Sequence, residues 1–272
     1  MYKLLMFCFI AVACKYKQVN GSLSATATTP AIADVRADSG IATIHIIVAL
    51  CDNKYQGIIP VPAAIGNGQD PAHNLYWGCE FGIKSFFKKS SAWQMLKTTA
   101  QQTPILERVV FKHRKLPIYL VADAYDGQYI KQSTIDFLNS CAGKTKSVLQ
   151  LDSKRIGVNG NADLLAYIGH NGLMDFRLSE TFNKADSLKR EAIILACKSK
   201  LFFAPLLQQT GAYPLLWTTG LMAPEAYTLH DMVDAWIKKR THQQMATTAA
   251  SSYARYQHCS PKAAQRLLVT GW

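Results

Sequence analysis

The sequence lacks an apolar run near the ~18–20 residues that a membrane-spanning helix needs. Its apolar stretches are short and separated by turn residues, a pattern that suits an α/β protein with a buried core. No Cys-x-x-Cys pair occurs among the seven cysteines, and His230, His242 and His258 form no i, i+4 pair, so no zinc site is expected. Gly-x-Ser-x-Gly is absent, which removes the nucleophile elbow of an α/β-hydrolase. The glycine-rich segment 66–71 (GNGQDP) has neither a Gly-Lys-Ser/Thr ending nor GxGxxG spacing, so it is no phosphate loop. Acidic residues are scarce: 18 Asp and Glu stand against 30 Lys and Arg, a net charge of +12. The basic runs at Lys88-Lys89, Lys112–Lys115 and Lys238–Arg240 read as solvated helix ends, where cations are favoured. No helix-turn-helix, zinc-finger or RNA-binding signature accompanies them, and no nucleic-acid partner is expected.

What is present fits one large domain. Of the 272 residues 49% are hydrophobic, enough for a full core, and no repeat of fixed period appears. The N-terminus reads as an export signal over 1–13. Lys3 supplies the positive start, Leu4 to Ala13 the apolar centre, and Ala11-Val12-Ala13 the small residues of a cleavage site. Cys14 follows at once. That order resembles a bacterial lipoprotein signal, in which Cys14 would be lipidated and anchor the chain to a membrane. An ordinary cleaved signal with an incidental cysteine explains the same residues. Either way the chain is expected outside the cytoplasm, in the periplasm, on the outer membrane or secreted. Residues 14–40, rich in Ser, Thr and Ala, read as a flexible tether to a domain at 41–272. Setting aside Cys8 and Cys14, five cysteines remain, an odd number, so at least one thiol of an exported chain stays unpaired.

Within that domain apolar runs alternate with helical spacing. Ile41–Leu50 (IATIHIIVAL) is predicted as a central parallel strand covered on both faces. Further strands are predicted at Leu116–Ala122, Ala162–Ile168, Glu191–Ala196 and Pro214–Thr218, with an edge strand at Val109–His113. Helices are predicted over Ala72–Lys89, Gln128–Cys141, Lys198–Gln209 and Glu225–Lys239, one or two more over His242–Leu268, and a short one in Phe176–Lys189. The alternation predicts an α/β fold, a mostly parallel sheet with helices on both faces.

Ligands meet an open parallel sheet just beyond the C-terminal ends of its strands. The residues at such places are Asp52-Asn53, Asp123 with Asp126, His170, Cys197 and Thr218-Thr219. Two successive strands thus end in a histidine and a cysteine. Adjacent strands lie about 4.8 Å apart, so the first loop residues of neighbours can meet, as a Cys-His dyad requires. Gly169 and Gly172 bracket His170, and Cys197 opens toward a helix whose N-terminus would stabilise a thiolate. The amides of Gly172 and Cys197 are candidate oxyanion donors.

The pair YIGHNG (Tyr167–Gly172) and IILACKS (Ile193–Ser199) resembles the two signatures of the caspase-like cysteine peptidases, the group of caspases, metacaspases, legumains, gingipains, separase and CHAT-domain peptidases. In that group one apolar strand ends in His-Gly and the next in a small or acidic residue followed by the catalytic Cys. The resemblance implies a three-layer caspase-like sandwich and a His-Cys dyad of His170 and Cys197. It also implies a peptide or protein substrate and no required cofactor. Ser199 matches the small residue two places past the family cysteine. The family's Gly directly after the histidine is replaced by Asn171, with Gly172 one place later.

Substrate choice rests on fewer residues. Asp123, Asp126 and Asp52 could hold a Lys or Arg side chain through a charge-assisted bond, although helix caps and turns use Asp in the same places. The aromatic residues Tyr76, Trp77, Phe81, Phe86 and Phe87 are better explained by packing against the sheet. The expected function is exported cysteine endopeptidase. The other function these residues allow is a non-catalytic protein of the same fold, such as a surface lipoprotein recognising peptide or glycan.

Overall fold

The structure, a computed structural model, describes residues 37–272. The expected signal peptide, Cys14 and most of the expected tether lie outside the described residues. The tether's last part, 37–40, lies inside them and is held. The Asp38 amide donates to the Arg155 carbonyl at 2.8 Å, and the Asp38 carboxylate accepts from the Arg155 amide at 2.9 Å. Among the described residues no helix is long and apolar enough to cross a membrane.

The β-branched run that opens the domain forms β1 (Ala42–Ala49). It pairs in parallel with β4 (Ile118–Tyr125) on one side and β7 (Leu164–Ile168) on the other. β8 (Glu191–Leu195) and β9 (Tyr213–Thr218) extend the parallel set beyond β7. Antiparallel strands close both ends: β3 (Ile105–His113) and β2 (Trp93–Ala100) beyond β4, and the short β10 (Leu268–Val269) beyond β9. A separate hairpin joins β5 (Lys146–Leu151) and β6 (Lys154–Asn159).

Both faces of β1 are buried, as a run without polar alternation requires. Ile44, Ile46 and Val48 share one core with Phe87 of α1 (Ile83–Lys89), Leu229 of α4 (Ala226–Ile237) and Met245 of α5 (His242–Tyr256). Ile47 and Ala49 share a second core with Phe137 of α2 (Ile130–Ala142) and Phe203 of α3 (Ser199–Thr210). The fold is therefore α/β, with a mostly parallel sheet and helices on both faces, an arrangement compatible with a three-layer sandwich. α6 (Pro261–Leu267) follows α5 and leads into β10.

Four local expectations are corrected. The helix predicted from Ala72 starts only at Ile83, because the Asn74 side chain clasps the backbone of Cys51 and the Asn74 backbone carbonyl accepts from the Trp77, Gly78 and Cys79 amides, fixing turns in place of a helix. The predicted edge strand is the interior β3; the edge is β2, whose mostly exposed residues carry no apolar alternation. The chain between β7 and β8 has no helix over Phe176–Lys189. It is pinned by fully buried Phe182 and by an ion cluster in which Arg190 donates to both oxygens of Asp186 at 2.9 and 2.7 Å. Finally, Asp123 does not follow a strand. β4 runs through it to Tyr125, because Arg108 of β3 pairs with its carboxylate and His45 of β1 hydrogen-bonds to it inside the sheet.

Candidate functional site

Parallel pairing of β7 with β8 sets Ile168 opposite Leu195, two residues before His170 and Cys197 respectively. Both side chains line one cavity of about 330 Å³ at the C-terminal rim of the sheet. Gly169 makes the exit from β7. Its φ is +141°, and a Cβ there would lie 2.5 Å from the Ala49 carbonyl oxygen, so only glycine fits.

The turn after β8 is anchored from below. The buried Ser199 hydroxyl donates to the Ile194 carbonyl at 2.8 Å and accepts from the Thr218 amide at 2.9 Å. Lys198 takes a left-handed conformation (φ +49°), its amide bonded to the Gly220 carbonyl at 2.7 Å. This tight strand-turn-helix lifts Cys197 to the rim just ahead of α3. Cys197 is half-buried. The Met222 amide donates to its sulfur at 3.3 Å, a contact that strengthens as the sulfur gains charge, and the thiol reaches the Met222 carbonyl at 3.5 Å.

The imidazole is oriented by Asp175, which sequence reasoning missed. His170 Nε2 lies 2.7 Å from the Asp175 carboxylate. An acceptor there holds a proton on Nε2, so that in the neutral ring the lone pair is on Nδ1. Nδ1 has no hydrogen-bond partner among the described residues. Asp175 also accepts from the Gly57 amide at 3.0 Å, joining the loop after β1 to the loop after β7. The available signal was an acidic residue in the turn after the histidine, facing a glycine-rich loop across the rim.

Asn171 is fully buried. Its side-chain amide donates to the Cys197 carbonyl at 2.7 Å, and its oxygen accepts from the Leu173 amide at 3.1 Å. Asn171 is thus a latch between the two loops. Gly172 sits against Phe176, where a Cβ would lie 2.6 Å from the ring, and it is not part of the cavity wall. The amides of Gly172 and Cys197 donate to no other described residue.

The three aspartates do not meet this cavity. Asp52 closes its own turn, accepting from Lys54 and Tyr55 amides at 2.8 and 3.0 Å. Asp126 caps the short 3₁₀ turn that leads into α2, accepting from the Gln128 amide at 3.0 Å, and Gln69 bridges Asp126 and Asp52 at 2.6 and 2.8 Å. Asp123 takes two bonds from Arg108, each 2.6 Å, and one from His45 at 3.0 Å. Burial alone would raise its carboxyl, but these donors outweigh burial and hold it below the ordinary Asp value.

The remaining described thiols are also unpaired and sit in different surroundings. Burial pushes Cys51 up to about 11, offset only in part by its hydrogen bond with Tyr76. Burial likewise raises Cys141 and Cys79. Of the predicted aromatic group, Tyr76 lines the cavity, Trp77 and Phe87 are core, and Phe81 and Phe86 meet Tyr227 and Tyr256. Compared with known proteins, the chain finds no counterpart: no family model, curated protein or solved structure matches it.

Proposed function

We propose that the chain is a caspase-like cysteine endopeptidase acting through His170 and Cys197. The observation that carries this reading is the joint placement of an Asp175-oriented imidazole and a half-buried thiol in one rim cavity, at the ends of adjacent parallel strands. His170 Nδ1 removes the thiol proton, and the thiolate attacks the scissile carbonyl carbon. An S–C bond forms and the carbonyl oxygen takes the negative charge, met by the Cys197 amide; Gly172, expected as a second donor, lies outside the cavity wall. On collapse the C–N bond breaks and the imidazolium gives its proton to the departing amine. Water then hydrolyses the thioester, releasing the carboxylic acid and restoring the thiol. Export to the cell exterior, with or without lipid attachment at Cys14, belongs to the same proposal.

The test is hydrolysis of a complex peptide mixture, read by sequencing the new termini. Wild type generates termini at a reproducible set of sites; Cys197→Ala and His170→Ala generate none. Equal cleavage by all three removes the assignment. A second reading is favoured by the paired Met222 contacts, which hold the sulfur in a fixed place. It is a non-catalytic protein that binds peptide or glycan in this cavity. It predicts no new termini from wild type.

A further inference from the structure

The cavity wall beside Cys197 comes from three loops. The segment after β1 contributes Ile58 and Ile59, the 3₁₀ turn after His170 contributes Met174, and the segment after β9 contributes Leu221 and Met222. Three of these are large apolar side chains left open to solvent: Ile59 is 85% exposed, Leu221 62% and Met174 40%. Apolar residues from separate loops that stay exposed around one concavity mark a ligand site more than a packing fault. Tyr76 adds a further wall.

No Asp, Glu, Lys or Arg lines the cavity. The carboxylates nearest in sequence are already engaged. Asp175 is bound to His170 and Gly57, and Glu225, which follows Pro224, accepts from Tyr227 and Gln257 at 2.9 and 3.2 Å. A Lys, Arg, Asp or Glu side chain entering here would lose water and meet no charged residue in the cavity wall, which is unfavourable. An aliphatic or aromatic side chain gains burial without that cost.

We propose that this cavity is a primary specificity pocket for a large apolar side chain, Leu, Met or Phe, of a peptide whose backbone lies across Cys197. The assignment deepens the peptidase reading and rests on it for the identity of the bound chain as a substrate. It replaces the expectation that Asp123, Asp126 or Asp52 selects a basic residue.

The test separates pocket from chemistry. Binding is measured by fluorescence anisotropy on the full chain carrying Cys197→Ala, with labelled hexapeptides that differ only in a central Leu, Phe, Arg or Asp. Leu and Phe peptides are expected to bind at least about tenfold tighter than the others, the scale that burying one such side chain supplies. Leu221→Asp, on an exposed rim position that folding does not depend on, is expected to erase that preference and favour the Arg peptide. Equal binding of all four peptides, tighter binding of Arg or Asp, or no binding overturns the pocket. Cleavage of the same peptides by wild type is scored apart. Apolar-selective binding without cleavage keeps the pocket and removes the peptidase reading; cleavage after Arg or Asp does the reverse.

Discussion

Replacing Asp123 with Asn asks whether that carboxylate serves the fold or a substrate. Its side chain is fully buried, with three hydrogen-bond donors from two neighbouring strands, and Arg108 is only partly exposed. Asn keeps the shape but removes the charge and turns one oxygen into a donor facing Arg108. Breaking one partner of a buried ion pair costs about 3–5 kcal/mol. For a domain of this size that corresponds to a fall in Tm of about 6–20 °C. The pH dependence has a definite sign. The folded carboxyl lies below its unfolded value of about 4, so its contribution is complete above that pH and is lost as pH falls through the folded value. The gap between wild type and Asp123→Asn should therefore be constant from about pH 5 to 7 and close below about pH 4. Thermal melts across that range, with Arg108→Met and the double variant completing a cycle, measure it; the double loss should be well short of the summed single losses. An unchanged Tm together with lost cleavage of Lys or Arg peptides would refute the argument and return Asp123 to the substrate.

Two further variants probe the rim. Asp175→Ala is expected to lower kcat about 10–100-fold with little change in KM or Tm, because it frees the imidazole of its one side-chain anchor. Gly57→Ala should act in the same direction, since a Cβ there would sit 2.4 Å from an Asp175 oxygen and displace the carboxylate; kcat unaltered in both would show that the anchor is idle. Asn171→Ala should lower the stability by about 1–3 kcal/mol, measured by denaturant unfolding, because the Cys197 carbonyl and Leu173 amide lose a buried partner. A wild-type unfolding curve would contradict the latch.

The parts of the fold visible in the sequence are those set by local pattern. β1, β7, β8 and β9 are near-continuous apolar runs, mostly buried, and the turn residues after β7 and β8, His170 and Cys197, follow from where such strands must end. Gly143, left-handed at the end of α2, was likewise readable as a helix stop. What escaped depends on partners distant in the chain. Asp123 looks like a strand-end cap until Arg108 and His45 are placed beside it. The turns before α1 are set by one side chain, Asn74, reaching back to Cys51 and Asn67. Met174, Ile59 and Leu221 occupy three loops whose convergence no local spacing encodes. Ser199 was matched as a small residue, while its use as a buried double anchor under the cysteine turn appears only with Thr218 in place.

The central claim concerns the reactivity of one sulfur in the presence of one imidazole. Cys79, Cys197 and Cys259 are all half-buried, and none is in a disulfide. Iodoacetamide labelling at pH 6, followed by peptide mass spectrometry, gives the three rates within one sample. The account predicts that Cys197 reacts at least about tenfold faster than either neighbour and that His170→Ala erases the difference. Equal rates for the three thiols, or a fast Cys197 that is indifferent to His170, would contradict it.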